Sequence, residues 1–215
     1  MGRTPNICAG PFGALYSVYV ERPWLMQVIG RALWGIDASV LYDSMGQLSE
    51  VGKGSTVLDV PCGGGVAFRG LLPGREVRYV AVDIDEAMLA RARRRARRRG
   101  LSRVEFLAGD MLALPFDDAQ ADLVLSYSGL HMVSDPEPAV GELARCLKPG
   151  GRLVGTTFLA GGTRRARALL ALGARRGHPL PPAREDLLRW LTDAGITDVQ
   201  IGPQSGFAAF SGRRA

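Results

Sequence analysis

From Thr56 onward the chain alternates short, β-branched apolar runs with stretches in which apolar residues recur every three or four positions, the rhythms of strand and helix. Thr56 to Val60 reads as a buried strand, and Gly63 to Leu72 as a glycine turn entering a helix that Pro73 and Gly74 stop. Val77 to Asp83 is a second strand, followed by a helix from about Asp85 to Arg99 that Gly100 ends. Val104 to Asp110 and Leu123 to Ser126 are the third and fourth strands. A helix over Glu137 to Leu147 and the turn Pro149, Gly150, Gly151 lead into a fifth strand, Arg152 to Leu159. Glu185 to Ala194 is helical, and two short strands, Asp198 to Ile201 and Phe207 to Phe210, flank a Gly202, Pro203, Gly206 turn, too short a connection for anything but antiparallel pairing. The pattern predicts an α/β fold, a doubly wound, mostly parallel seven-stranded sheet with an antiparallel C-terminal strand.

Two segments stand outside this alternation. In residues 1 to 50, Tyr16, Tyr19, Trp24, Leu25, Val28, Ile29 and Leu33 fall at roughly helical spacing, with Pro23 beginning a helix. This predicts an N-terminal helical lid ahead of a core over residues 51 to 215. Residues 161 to 182 form a basic, leucine-containing insert in that core. Both segments could cover the carboxyl ends of the strands, where open α/β sheets bind ligands.

A length of 215 residues, 47% hydrophobic and 22% charged, suits one compact domain. No stretch is long and apolar enough to span a bilayer, and Met1 to Gly10 lacks the basic and apolar regions of a signal peptide, so a cytoplasmic protein is expected. Cys8, Cys62 and Cys146 form neither a disulfide framework nor a zinc spacing, which fits a reducing compartment. The net charge of +6 raises the question of an anionic partner. Seven arginines crowd Arg91 to Arg99, but Met88, Ala92 and Ala96 form an apolar stripe that leaves them mostly on a solvated face. A second cluster, Arg164, Arg165, Arg167, Arg175 and Arg176, brackets Leu169, Leu170 and Leu172. It reads first as a lid helix packing its leucines inward, and alternatively as a basic amphipathic helix making a peripheral contact with an anionic membrane.

The chemistry centres on Val57 to Gly65, where Asp59 sits near a strand end and Gly63 and Gly65 lie in the turn after it. Without a Cβ such residues let backbone approach a ligand closely. Phe68 stands where a dinucleotide fingerprint needs its third glycine. With Asp83 ending the second strand, 18 residues after Gly65, GDMLALPF at Gly109 to Phe116, ADLVLSYSGLHMV at Ala121 to Val133, and LARCLKPGGRLVGTT at Leu143 to Thr157, the order of motifs resembles the class I S-adenosylmethionine-dependent methyltransferases. Within these it is most similar to the small-molecule group that includes the ubiquinone and menaquinone biosynthesis enzymes. The resemblance covers about Thr56 to Phe158 and implies a Rossmann-like fold.

It also implies that Asp59, Gly63 and Gly65 hold the methionine part of S-adenosylmethionine, that Asp83 takes the ribose hydroxyls, and that Ile84 packs on the adenine. Asp110 and the Met111 backbone would read the adenine edge, with Ser126 and Leu130 beside the cofactor. Pro61 stands where the family usually has glycine. His131 is a candidate general base by its intrinsic pKa, with packing or cofactor contact as its competing role. Tyr127 could orient the acceptor or face the cationic sulfur; a strand-end core position is its ordinary alternative. Cys62 reads as a packed residue, and His178 is assigned no role.

The expected reaction is methyl transfer to an oxygen or carbon of a small, fairly apolar acceptor, without a metal, releasing S-adenosylhomocysteine. An RNA methyltransferase using the arginine faces and a non-catalytic cofactor-binding module are the alternatives; nucleic acid is the less expected partner.

Overall fold

A computed structural model describes residues 22–175, 179–202 and 206–215, with Leu33 by its backbone only. The expectations for Tyr16, Tyr19, Cys8, Arg176, His178 and Pro203 lie outside the described residues. Five parallel strands, β1 (Thr56–Asp59), β2 (Arg78–Asp83), β3 (Val104–Ala108), β4 (Ala121–Tyr127) and β5 (Leu147–Phe158), join β6 (Ile196–Ile201) and β7 (Phe207–Arg214) in one sheet of order β3-β2-β1-β4-β5-β7-β6. β7 runs antiparallel to both of its neighbours.

Alternation along the strands splits the core in two. Val57, Tyr79, Ala81, Leu123 and Leu125 face one side, while Leu58, Val80, Val82 and Val124 face the other. The first side is covered by α3 (Glu86–Arg98) and by the N-terminal elements α1 (Pro23–Ile29) and α2 (Ser39–Ser44), which contribute Met26 and Leu41. The second is covered by α4 (Pro136–Arg145) and α6 (Arg184–Asp193). Residues 22–51 thus share the sheet's own core, and Arg152 in β5 ties them down through Glu50 at 2.7 Å and the Gln47 carbonyl.

α3 forms where its sequence is consistent at both ends. The Asp85 carboxylate caps it by accepting the Ala87 N–H, and Gly100, at φ 68°, ends it. The expected stripe of Met88, Ala92 and Ala96 is buried as predicted, but Arg95 is buried with it, so the arginines are not all on the solvated face.

Two expectations need correction. The segment after Gly65 is only a 3-10 turn, Val66–Arg69, closed by Gly70. Seven residues separate Gly65 from the Pro73–Gly74 turn, and a Cβ at Gly70 would overlap the Met45 carbonyl, so this stretch is pressed onto the N-terminal segment instead of extending as an α-helix. The insert does contain a helix, α5 (Arg164–Ala174), capped by Thr163, but it buries only Ala166. Leu169 and Leu172 are 37% and 44% exposed and only Leu170 is half-buried, so the leucines do not pack inward as a set.

Candidate functional site

The carboxyl ends of β1 to β5 meet where the chain turns from β1 towards β2 on one side and β4 lies on the other, the crevice that such sheets offer to ligands. Asp59, the last residue of β1, is buried, and its Oδ2 accepts the hydroxyl of buried Tyr79 at 2.8 Å. Burial pushes the Asp59 carboxyl up to about 7, with the Tyr79 bond opposing that rise and the Asp83 charge adding to it. Tyr79 escaped the sequence reading. The one signal available was a polar-tipped aromatic inside an otherwise aliphatic strand.

Asp83 binds the glycine loop to β2. Its Oδ2 accepts the Gly63 N–H at 2.8 Å, and its Oδ1 accepts the Asp85 N–H at 2.9 Å. Burial raises this carboxyl as well. Cys62 N–H donates to the Val82 carbonyl, and the Cys62 side chain is packed away, its thiol pushed up by burial as expected for an inert residue. Gly65 needs to be glycine twice over: φ is 79°, and a Cβ would overlap the Phe68 ring.

β3 delivers Asp110 beside this pair, since Gly109 N–H donates to the Asp83 carbonyl. Asp110 Oδ1 accepts the Leu112 N–H at 3.0 Å in a local turn. The loop beyond is pinned from α4. Glu142 accepts the Leu114 N–H, while Arg145 donates to Glu142, Asp118 and the Leu114 and Phe116 carbonyls. Sequence reasoning missed this hub because, apart from Glu142 three residues before it, the partners of Arg145 are 27 to 31 residues away.

On the other side of the crevice, Ser128 takes a left-handed φ of 58° as β4 ends, strain of the kind that collects at functional sites. Gly129 then packs so tightly on Pro61 that a Cβ would overlap the proline ring, and this locks the β4 loop to the glycine loop. The next turn, Leu130–Met132, carries His131. Its ring meets Phe158 edge-on at 4.8 Å, and Phe158 in turn contacts Phe207 and Trp34, bringing the N-terminal segment to this end of the sheet. His131 Nδ1 lies 3.4 Å from the Phe158 N–H and 3.3 Å from Thr157 Oγ1. Burial pushes the ring's pKa down to about 4.

Residues 58–155 match the family described as a methyltransferase domain. The demethylmenaquinone methyltransferase of Thermus thermophilus is 46% identical over 105 residues, 47% of this chain and 46% of that protein. The demethylmenaquinone methyltransferase of Renibacterium salmoninarum is 34% identical over 176 residues, 71% of each chain. The chain belongs to the class I S-adenosylmethionine-dependent methyltransferases. The solved structure of the cyclase SpnF is also similar, with a TM-score of 0.66 and 26% identity over 86% of this chain and 83% of that one. The chain spans about half the length of several curated relatives that it matches. Because the fold hosts other reactions, its activity has to be argued from the site.

The structure gathers Asp59, Gly63, Gly65, Asp83 and Asp110 on one side of the crevice and the β4 end on the other. Ile84, directly after Asp83, is 68% exposed, so protein side chains leave most of it uncovered. Met111 is buried. Leu130 is wholly buried in the core below the crevice, so its side chain is not presented to a ligand. Ser126 Oγ and Tyr127 OH are buried without a hydrogen-bond partner among the described residues. Tyr127 belongs to the same core cluster as Tyr79, and burial pushes its phenol up. Trp24 and Val28, read as part of a lid, are exposed instead of folded onto the core.

The donor set fits S-adenosylmethionine. Carboxylates end adjacent strands, and the Ser126 hydroxyl beneath Gly129 has no partner among the described residues. Gly63, moreover, has open space where a Cβ would stand.

Proposed function

We propose that the chain transfers a methyl group from S-adenosylmethionine to carbon, with oxygen as the alternative atom, of a small, fairly apolar aromatic acceptor of the quinol class. The observation that carries this reading is the coupling of the two strand-end carboxylates through the glycine loop: Gly63 N–H is bonded to Asp83, while Asp59 is held by Tyr79 at the foot of the same loop. A quinol acceptor is supported by the names of the two relatives, both demethylmenaquinone methyltransferases.

Asp83 would accept the ribose hydroxyls, since each carboxylate oxygen retains acceptor capacity beside its backbone bond. Asp59 would face the ammonium of the methionine part, Ile84 the adenine, and Asp110 with the Met111 backbone the adenine edge. Bound there, S-adenosylmethionine supplies a methyl group on a positively charged sulfur whose leaving group is a neutral thioether. The protein's own task is therefore alignment and exclusion of water, and orientation of this kind contributes up to roughly 7–11 kcal/mol. Trp34 and Phe158 beside His131, both partly buried and backed by the buried Phe207, supply an apolar wall at the β4 and β5 ends.

Incubation with methyl-labelled S-adenosylmethionine and 1,4-naphthoquinol under reducing conditions, read by mass spectrometry, tests the reading. The expected product is the 2-methyl quinol. Cofactor binding without transfer to quinols or phenols would favour the non-catalytic reading, and label appearing in RNA would favour the nucleic-acid one.

A further inference from the structure

The hydrogen bonds around His131 fix which of its nitrogens carries the proton. Leu159 N–H donates to the Gly206 carbonyl on the β7 side of β5. Successive strand N–H groups point to opposite edges, so the Phe158 N–H points towards β4. There β4 has already ended, its last register partner being Tyr127 opposite Thr156. The group that meets this stranded donor is His131 Nδ1, at 3.4 Å.

A backbone N–H can only donate, and such groups rarely go unpaired when buried. Nδ1 must therefore offer a lone pair. A proton on Nδ1 would set two N–H groups head to head and orphan Phe158. The Thr157 hydroxyl lies 3.3 Å from the same nitrogen and 3.3 Å from the Phe158 carbonyl, and its one hydrogen can turn to either, so it sets no demand of its own on Nδ1. The neutral ring then has its one proton on Nε2. Among the described residues both hydrogen bonds of the ring are at Nδ1, which leaves Nε2–H without a protein partner.

We propose that His131 is a hydrogen-bond donor to the oxygen of the methyl acceptor through Nε2–H, and not the base that deprotonates it. This rests on the function proposed above, in which the acceptor is an ionised phenol or quinol. Its hydroxyl proton goes to solvent before transfer. The electron pair of the ring carbon beside the oxyanion forms the new C–C bond, and the C–S pair stays on sulfur. The dienone that results then tautomerises through solvent, its carbon-bound proton leaving and the oxygen gaining one. His131 loses and gains no proton in this sequence; it concentrates positive dipole where the acceptor's oxygen is most negative. The depressed pKa of the ring agrees with this role, because a neutral imidazole persists throughout the working range.

The first test reads the tautomer without any acceptor. Long-range nitrogen–proton NMR of the uniformly labelled protein, with His131 assigned by loss of its signals in His131→Gln, is expected to show Nε2 protonated and Nδ1 unprotonated from pH 6 to pH 8. A proton on Nδ1, or on both nitrogens, overturns the inference. The second test is transfer to 1,4-naphthoquinol. His131→Ala is expected to lose about tenfold or more in rate, the worth of a hydrogen bond to a charged group. His131→Gln, which restores an amide donor, recovers most of that loss with the pH profile unmoved. Equal loss in both variants, together with disappearance of the acidic limb of the profile, is the signature of a base and overturns the proposal. Absence of transfer by the wild type defeats the quinol reading and the partner assigned to Nε2–H, and the NMR result distinguishes that failure from a wrong tautomer.

Discussion

Substituting Tyr79→Phe removes a single oxygen from the core and should have opposite weights at two pH values. The Tyr79 hydroxyl donates to Asp59 Oδ2 at 2.8 Å with both groups buried, and the Asp59 carboxyl is raised to about 7. Below that value the bond joins two neutral groups and contributes about 0.5–1.5 kcal/mol; above it the acceptor is charged and the figure becomes about 1.5–3 kcal/mol. The difference, roughly 1–1.5 kcal/mol, equals a further rise of the carboxyl by about one pH unit in the variant. The sign follows from linkage. A folded-state pKa raised above the unfolded value gives stability that is full below pH 3.8 and lost as pH rises through about 7. Tyr79→Phe deepens that alkaline loss. Urea unfolding at pH 5.5 and pH 8.5 is the assay. The variant should lose about twice as much at the higher pH, and equal losses at both would refute the placement of a titrating Asp59 under the loop.

Other consequences concern the same crevice. Cofactor affinity should increase from pH 6 to pH 8 as Asp59 ionises to meet an ammonium, and binding at pH 6.5 should release protons, seen as a dependence of the calorimetric heat on the buffer's ionisation enthalpy; Asp59→Asn should flatten both. In Gly129→Ala the new methyl must push Pro61 aside, so the glycine loop shifts, and cofactor affinity should fall more than stability does, measured by titration beside urea unfolding. Arg145→Lys keeps the charge but loses the fork that holds Glu142, Asp118 and two carbonyls. A loss of about 1–3 kcal/mol is expected, with faster amide exchange confined to residues 110–118.

The alternation of strand and helix was legible because each strand is bounded by its own turn chemistry, and the strand-end aspartates were legible because the motif order placed them. What escaped was set by contacts distant in sequence. Tyr79 and Asp59 are 20 residues apart, and a tyrosine in a strand gives no sign of the carboxylate that it will meet. The stretch after Gly65 has the periodicity of a helix, yet Gly70 must lie flat against Met45 and Leu48, and packing overrode local preference. The leucines of α5 follow helical spacing without any indication that the face they form would stay open. His131 was legible as a candidate for proton chemistry. Its direction was not, since that depends on the edge at which β4 stops relative to β5.

The central claim is that this crevice holds S-adenosylmethionine through the carboxylate at the end of β2. Isothermal titration of S-adenosylmethionine at pH 8 should show one site per chain, with binding lost in Asp83→Ala while the variant's urea transition stays cooperative. Absence of binding by the wild type, or affinity unchanged in Asp83→Ala, would contradict the account.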